Sequence, residues 1–274
     1  MQKEKPVNIN NTIEITRNYY NKVSLWRSQG FLNGWTGEIS KRRVLPSLRI
    51  LNLKDGHKWL DMGCSNGFNI NLGLSMNKKN NKNNKENKKS EKIHIHGIDI
   101  SDANIKIAKK KIRKGNFRVG NVEKLPYTMQ FFDRITYLHV VEHVRYPLQS
   151  LTELKRVLKD DGKAVLSFHN KYGLENSAMG FSKKLIFIFG GDKGGFSKPK
   201  GMLDVRRSIF EIRRMCIKAG LKVTRTDGCI VMLPSLAWRI AVLRKPTLFL
   251  SDILEKLPLT KYLSSYISIE LKKK

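Results

Sequence analysis

Two aspartates, each at the end of a predicted strand, frame the part of the sequence where residue types and spacing suggest chemistry. Asp61 ends a short apolar run, and Asp99 ends a second one that covers residues 93–98. After Asp61 the chain turns through small residues and enters a helical pattern. Those small residues are Gly63, Cys64, Ser65 and Gly67. Such a turn presents backbone N–H groups and the positive end of a helix dipole, which favours a nucleotide ligand.

Asp99 lies where a nucleotide-binding α/β unit binds ribose hydroxyls. Asp61 and Asp99 are 38 positions apart, and 16 of the intervening residues, 77–92, form a polar run rich in lysine and asparagine. Subtracting this insert (38 minus 16) leaves 22, close to the roughly 20 residues that separate the glycine turn from the ribose-binding acid in dinucleotide folds. The dinucleotide fingerprint itself does not fit, because Ser65 and Phe68 occupy two of its glycine positions.

Four stretches of the sequence resemble the class I S-adenosylmethionine-dependent methyltransferases. D-M-G-C-S-N-G at 61–67 resembles their motif I, in which a glycine usually stands at the position of Ser65. The others are G-N-V-E-K-L-P-Y at 120–127, F-D-R-I-T-Y-L-H-V-V-E-H-V at 132–144, and a helix, turn and strand pattern at 148–170. The resemblance is continuous to about residue 170 and points to the quinone-biosynthesis-like or envelope-lipid-like branch.

This resemblance implies S-adenosyl-L-methionine as the cofactor. Asp99 would bind the ribose hydroxyls, the carbonyl oxygen of Asn121 would accept from the adenine amino group, and Val122 would lie against the adenine ring. The full implied cofactor-binding set is Asp61, Gly63, Cys64, Ser65, Gly67, Asp99, Ile100, Asn121, Val122 and His139. His139 and His169, at the ends of the fourth and fifth strands, are the candidate catalytic residues, as general bases for an acceptor hydroxyl.

The elements that must position these residues form an α/β fold. Alternating strands and helices predict a Rossmann-like, doubly wound sheet of seven strands, mostly parallel. The last strand, at residues 266–271, alternates in polarity and is expected to be antiparallel at the sheet edge. Helical patterns at about 12–30 and 38–51 precede motif I, and the second has a basic face at 41–43 that should point outward. The fold is completed by helical lid insertions.

The predicted domain organisation is an N-terminal helical cap, residues 1–52, followed by a methyltransferase domain, residues 53–274. Three segments interrupt that domain. Residues 77–92 are expected to be a solvated, disordered loop. Residues 171–204 and 234–264 mix apolar with basic residues and are expected to be lids on the acceptor side.

A helix is predicted from Asp204 to Val223, with Gly220 as its C-terminal cap. It carries Arg206 and Arg207, which could bind an acidic group of the acceptor. Exposure of both arginines to solvent is the simpler interpretation.

Charge and cysteine content bound the choice of partners. The net charge of +30 suits nucleic acid or an anionic membrane surface, and it fits a general bias toward lysine equally well. The sequence has no 18-residue apolar run and no signal-peptide core, so no integral membrane segment is expected. The three cysteines have no metal-ligand spacing. We therefore expect no metal site and a cytoplasmic protein, with peripheral contact at a membrane surface left open.

The leading functional prediction is transfer of a methyl group to an oxygen or carbon atom of a small-molecule or lipid-like acceptor. An RNA methyltransferase is an alternative that the charge favours, although the N-P-P-[FY] motif of enzymes that flip a base is missing after the fourth strand. A third alternative is a protein that binds the cofactor without catalysing transfer.

Overall fold

The computed structural model describes residues 9–30, 34–83, 92–173, 199–230, 244–257 and 259–274. The strands are β1 Lys58–Met62, β2 His94–Asp99, β3 Asn116–Val119, β4 Phe132–Leu138, β5 Leu158–His169, β6 Leu221–Cys229 and β7 Tyr266–Lys273. The helices are α1 Ile9–Gly30, α2 Gly34–Leu51, α3 Phe68–Asn83, α4 Asp102–Lys111, α5 Pro147–Val157, α6 Ile209–Lys218 and α7 Arg244–Leu254, with a short 3₁₀ helix at Thr260–Tyr262.

The strands form one seven-stranded sheet in the order β3-β2-β1-β4-β5-β7-β6. All pairs from β3 to β5 are parallel, whereas β7 is antiparallel to both β5 and β6. Apolar residues of α2, α3 and α4 cover one face of the sheet, and those of α5 and α6 cover the other. The predicted Rossmann-like, mostly parallel α/β fold is therefore confirmed.

The position of β7 differs from the prediction. It lies between β5 and β6 instead of at the sheet edge, and its residues from Tyr266 to Leu271 are buried. Its alternating polar residues suggested a solvent-exposed face, but those residues have partners inside the protein. Ser268 Oγ lies 2.7 Å from Ser47 Oγ of α2, and Glu270 pairs with Lys163 of β5 at 3.1 Å. Polar side chains can be buried when they have hydrogen-bond partners. The alternation of polar and apolar residues in β7 was therefore not enough to place this strand at the sheet edge.

Three predicted boundaries also differ. Helix α3 continues to Asn83, so residues 77–83 of the expected loop are helical, and residues 84–91 lie outside the described part of the chain. Helix α6 begins at Ile209, because Ser208 and Glu211 form a capping box. The turn of the helix, turn and strand pattern at 148–170 was predicted at residues 160–162. The structure has an irregularity within β5 there, where the partners in β5 of successive β4 residues shift from Leu158 to Lys163.

Among the described residues, no helix is long and apolar enough to cross a bilayer. The predicted lid segments are described only in part, since residues 174–198 and 231–243 lie outside the described ranges.

Candidate functional site

A cavity opens at the carboxyl ends of β1, β2, β4 and β5, where ligands bind in doubly wound sheets. Apart from Asp61 and Gly67, the predicted cofactor residues all line it: Gly63, Cys64, Ser65, Asp99, Ile100, Asn121, Val122 and His139. His169 lines it as well. Residues that are far apart in sequence therefore share one space.

The turn after β1 is held against β2 by its own backbone. The N–H groups of Gly63 and Cys64 both donate to the carbonyl oxygen of Ile98, at 2.8 and 3.0 Å. Gly63 has a φ of +77°, and a Cβ there would lie 2.3 Å from Val140 Cγ2, so glycine is required by both conformation and space. Ser65 also adopts a left-handed conformation, with a φ of +48°. The Cys64 thiol is buried, and burial raises its pKa well above the ordinary value, so it is a neutral thiol.

Asp99 is held in one orientation at the wall of the cavity. The backbone N–H of Ser65 donates to Oδ2 at 2.9 Å, and that of Ser101 donates to Oδ1 at 2.9 Å. The side-chain amide Nδ2 of Asn104 also donates to Oδ1, at 3.5 Å. A carboxylate offers about four acceptor sites in all, so its oxygens can each accept more than one hydrogen bond. Two neighbouring ribose hydroxyls match such a group, so the donor and acceptor chemistry of this wall fits an adenosyl cofactor.

Asp61 and Gly67 lie behind the cavity wall and support the turn. The fully buried Asp61 accepts a 2.7 Å hydrogen bond from Thr136 Oγ1, which itself accepts from Trp59 Nε1 at 2.9 Å. Burial raises the pKa of Asp61 to about 7. Gly67 packs against α4, since a Cβ would approach Ile112 to 2.9 Å. Both residues act on the cavity through the turn that they hold.

Asn121 lines the cavity, but its side chain is already engaged. Its Oδ1 accepts from the backbone N–H of Glu123 at 2.9 Å, and its Nδ2 donates to Glu123 Oε2 at 3.1 Å. Glu123 also accepts from the N–H of Tyr146 at 2.7 Å. These bonds stabilise the loop after β3 and keep Val122 buried at the cavity. The predicted adenine contact through Asn121 Oδ1 would have to share an oxygen that is in use.

Two histidines and a glutamate lie together at the ends of β4 and β5. His139 has a φ of +56°, and its Nε2 lies 3.2 Å from Ser167 Oγ. Its Nδ1 is 4.0 Å from Glu142 Oε1, which accepts a 2.6 Å hydrogen bond from the backbone N–H of His169. The two imidazole rings are 5.5 Å apart. Glu142 therefore fixes the end of β5 next to His139.

Burial controls the ionisation of this group. It lowers the pKa of His139 well below the ordinary value and that of His169 to about 3, with Arg43 contributing to both shifts. Burial raises the pKa of Glu142 to about 7. Both imidazoles are therefore neutral near pH 7, and their protonated forms are disfavoured. This weighs against strong general-base catalysis, so the predicted catalytic role of the two histidines stays a prediction.

Helix α1 of the predicted N-terminal cap contributes to the cavity through Tyr20, one of the aromatic residues that the resemblance suggested for this place, and through Thr12 and Thr16, which were not anticipated. Thr12, Thr16 and Tyr20 reach it from α1, which is anchored beside Asp99 because Asn21 accepts from Ser101 Oγ at 2.6 Å. Thr12 and Thr16 belong to no motif that would have indicated their position.

Arg43 was expected on the outward face of α2 but lines the cavity, with its guanidinium 5.7 Å from the centre of the Tyr266 ring. The helical pattern could not reveal this, because β7 places Tyr266 beside α2. Arg206 also lines the cavity, whereas Arg207 donates to the carbonyl oxygens of Val141 and Val205. Of the two predicted arginines, the described lining therefore includes Arg206 and not Arg207.

Residues 60–166 match the methyltransferase domain family. An uncharacterized protein of Methanocaldococcus jannaschii is 28% identical over 71% of this chain and 63% of its own length. Demethylmenaquinone methyltransferase of Bacillus subtilis is 26% identical over 53% of this chain and 60% of its own length. The chain thus spans about three fifths of the length of these curated relatives.

Solved structures share the fold. Magnesium protoporphyrin IX methyltransferase from Synechocystis PCC 6803, solved with bound SAH, superposes with a TM-score of 0.57 at 16% identity, over 95% of this chain and 99% of that one. At that identity the likeness concerns the fold alone. Residues 60–166 therefore match a methyltransferase domain, and the chain shares the fold of a solved S-adenosylmethionine-dependent methyltransferase.

Proposed function

We propose that this protein transfers a methyl group from S-adenosyl-L-methionine to an oxygen or carbon atom of a small-molecule or lipid-like acceptor. The observation that carries the proposal is the shared cavity, in which Asp99 and the glycine turn lie at one side and His139, His169 and Arg206 at the other. A methyl donor held at the first side and an acceptor at the second would meet in one space. Orientation of two bound reactants contributes roughly 7–11 kcal/mol to such reactions.

The cofactor would supply an already activated methyl group, so the protein needs to bind, orient and exclude water. Asp99 and Val122 would bind the adenosyl part, and the N-terminal segment 1–52 would act as a cap. The cap is supported by Thr12, Thr16 and Tyr20 at the cavity lining and by the hydrogen bond from Ser101 to Asn21.

An acidic or hydroxyl-bearing acceptor is supported by the charge of the acceptor side. Arg43 and Arg206 approach His169, and they outnumber the acidic group Asp204 in that part of the described lining. An acceptor with an ionised or readily ionised oxygen would be attracted there.

A lipid-like acceptor and peripheral contact with an anionic membrane are supported by α7 and the residues after it. Their outward apolar side chains include Phe249, which is 69% exposed, and Leu259, which is 74% exposed. Lys245 and Lys256 are exposed on the same segment, in a chain with a net charge of +30. Apolar side chains between lysines suit the boundary between lipid headgroups and acyl chains.

A transfer assay tests the proposal directly. The protein is incubated with methyl-labelled cofactor and with quinols, polyprenyl phenols or tRNA in separate reactions. We expect label in a small-molecule or lipid acceptor, loss of transfer in D99N, and retention in D160N, which changes an exposed carboxylate that pairs with Lys273.

Labelling of tRNA alone, with an affinity that falls steeply as salt rises, would favour the RNA alternative and contradict the proposed acceptor class. Cofactor binding without transfer to any of the acceptors would favour the non-catalytic alternative. Sedimentation with vesicles of phosphatidylcholine, with and without phosphatidylglycerol, tests the membrane contact, which we expect only with the anionic lipid.

A further inference from the structure

Three potential metal ligands meet at the acceptor side of the cavity. His139, Glu142 and His169 each offer one ligand atom, and these atoms lie within 4.8 Å of one another. Two of the residues come from the end of β4 and the turn after it, and the third ends β5. Their sequence spacings of three and 27 positions match no local metal motif. The sequence therefore gave no indication of this group.

The group contains buried polar atoms that the described residues leave without a hydrogen-bond partner. They are Nδ1 of His139 and Oε2 of Glu142. The side chain of His139 is 10% exposed and that of Glu142 is 1% exposed, so solvent does not readily satisfy either atom. An unpaired buried donor or acceptor destabilises the folded protein, because the group has lost its hydrogen bonds to water. A ligand that binds both atoms would offset this cost.

We propose that His139, Glu142 and His169 bind one divalent transition-metal ion of the Zn²⁺ class. Two imidazole nitrogens and one carboxylate oxygen form a ligand set that such ions use in catalytic sites, where further positions stay open. Metal–ligand bonds of roughly 2.0–2.2 Å place the ligand atoms about 3.3 Å apart in a tetrahedral site. The three side chains would therefore move toward each other by about 1 Å when the ion binds.

The neighbouring hydrogen bonds orient the ligands. Ser167 lies 3.2 Å from Nε2 of His139, which leaves Nδ1 on the side of Glu142. The backbone N–H of His169 binds Oε1 of Glu142, which leaves Oε2 available as the ligand atom. Such outer partners normally fix the orientation of metal ligands.

The site would specify the acceptor, and this part of the inference rests on the proposed function. His139 and His169 line the cavity, so the open positions of the ion would face the acceptor. A hydroxyl oxygen bound there would lose its proton to solvent more readily. It would then form the new bond to the methyl carbon as the carbon–sulfur bond of the cofactor breaks. The acceptor would thus be a hydroxyl compound, methylated on oxygen.

Metal binding is measured on the untagged, chelator-treated protein without cofactor or acceptor. Co²⁺ is titrated while its visible absorption is recorded, and Zn²⁺ is then added as a competitor. We expect saturation at one ion per chain and displacement by Zn²⁺. Absence of saturable binding to the native protein overturns the inference, whatever the variants do.

Two variants locate the ion. H139N suits the left-handed backbone at position 139, because asparagine tolerates a positive φ, and H169Q retains a polar side chain. We expect each to weaken Co²⁺ binding by at least about tenfold, whereas H94N, at an exposed histidine of β2, leaves it unchanged. Equal affinity in the native protein and both variants would also overturn the inference.

Calorimetry of cofactor binding in the presence of a chelator separates this inference from the proposed function. Cofactor binding without Co²⁺ binding leaves the methyltransferase proposal standing and removes the metal site. Co²⁺ binding without cofactor binding leaves the metal site standing and contradicts the methyltransferase proposal.

Discussion

The two sides of the cavity are built differently. On the cofactor side, backbone N–H groups of the turn after β1 form hydrogen bonds with the end of β2. Gly63 and Cys64 donate to the carbonyl oxygen of Ile98, and Ser65 donates to the carboxylate of Asp99. On the acceptor side, side chains from α2, β4, β5 and the segment before α6 meet, and two buried atoms of His139 and Glu142 lack hydrogen-bond partners within the described residues. The first side is organised before any ligand binds. The second has polar groups that a ligand would complete.

Asp61 should make the support of the cofactor side sensitive to pH. Burial raises its pKa from 3.8 to about 7, and repulsion from Asp99 raises it as well. Hydrogen bonds from Thr136 and Asn69 lower the pKa, but by less than burial raises it. The folded protein therefore binds the proton more tightly than the unfolded chain, so this contribution to stability is complete below pH 4 and is lost as pH rises through 7. We expect the native protein to lose roughly 2–4 kcal/mol of unfolding free energy relative to D61N between pH 4 and 8. Urea titrations of both proteins at several pH values measure this difference in unfolding free energy. If the unfolding free energies of the two proteins changed in parallel with pH, the prediction would be contradicted.

Gly63 tests how rigid the turn is. G63A combines an unfavourable left-handed φ with a clash against Val140, whereas G56A has the same backbone strain and no heavy atom within 4 Å of the added Cβ. We expect G63A to cost about 3 kcal/mol of unfolding free energy and G56A about 1 kcal/mol. Equal losses in chemical denaturation would mean that the turn yields to the extra methyl group.

Arg206 tests whether the two sides act separately. R206Q removes a charge from the acceptor side of the cavity, and R213Q removes one from α6 outside the described lining. We expect R206Q to raise the KM for an acidic or hydroxyl acceptor by about tenfold, as expected when a charged hydrogen bond is lost, with cofactor affinity unchanged. R213Q should alter neither constant. A parallel loss of cofactor affinity in R206Q would show that the two sides are not separable.

A substitution at Ser65 should have the smallest effect of these four, and we expect it to change the unfolding free energy only. S65G relieves the left-handed conformation at a φ of +48° and removes a hydroxyl that has no partner among the described residues. We expect a gain of about 1 kcal/mol in thermal or chemical unfolding. N52G, at a φ of +50°, is the matched control and should gain less, because asparagine tolerates this conformation. A loss of stability in S65G would indicate that the hydroxyl has a structural role.

The difference between the cofactor side and the acceptor side also explains which parts of the site could be predicted from the sequence. The β1–turn–α3 unit and the strand ending in Asp99 are local patterns of apolar runs, glycines and a carboxylate, and the structure brings their residues to one cavity. The position of Arg43 at the cavity depends on β7, more than 200 positions away, so no local pattern encodes it. The interior position of β7 depends on partners such as Ser47 and Lys163 that only the folded chain supplies. The acceptor side was least predictable because it is made almost entirely of such distant contacts.

The proposed methyl transfer requires an adenosyl cofactor bound against Asp99, and isothermal calorimetry with S-adenosyl-L-methionine measures this binding directly. We predict saturable binding at one molecule per chain, weakened about 100-fold in D99A through the loss of charged hydrogen bonds and unchanged in D160A. Native affinity in D99A, or no binding to the native protein, would contradict it.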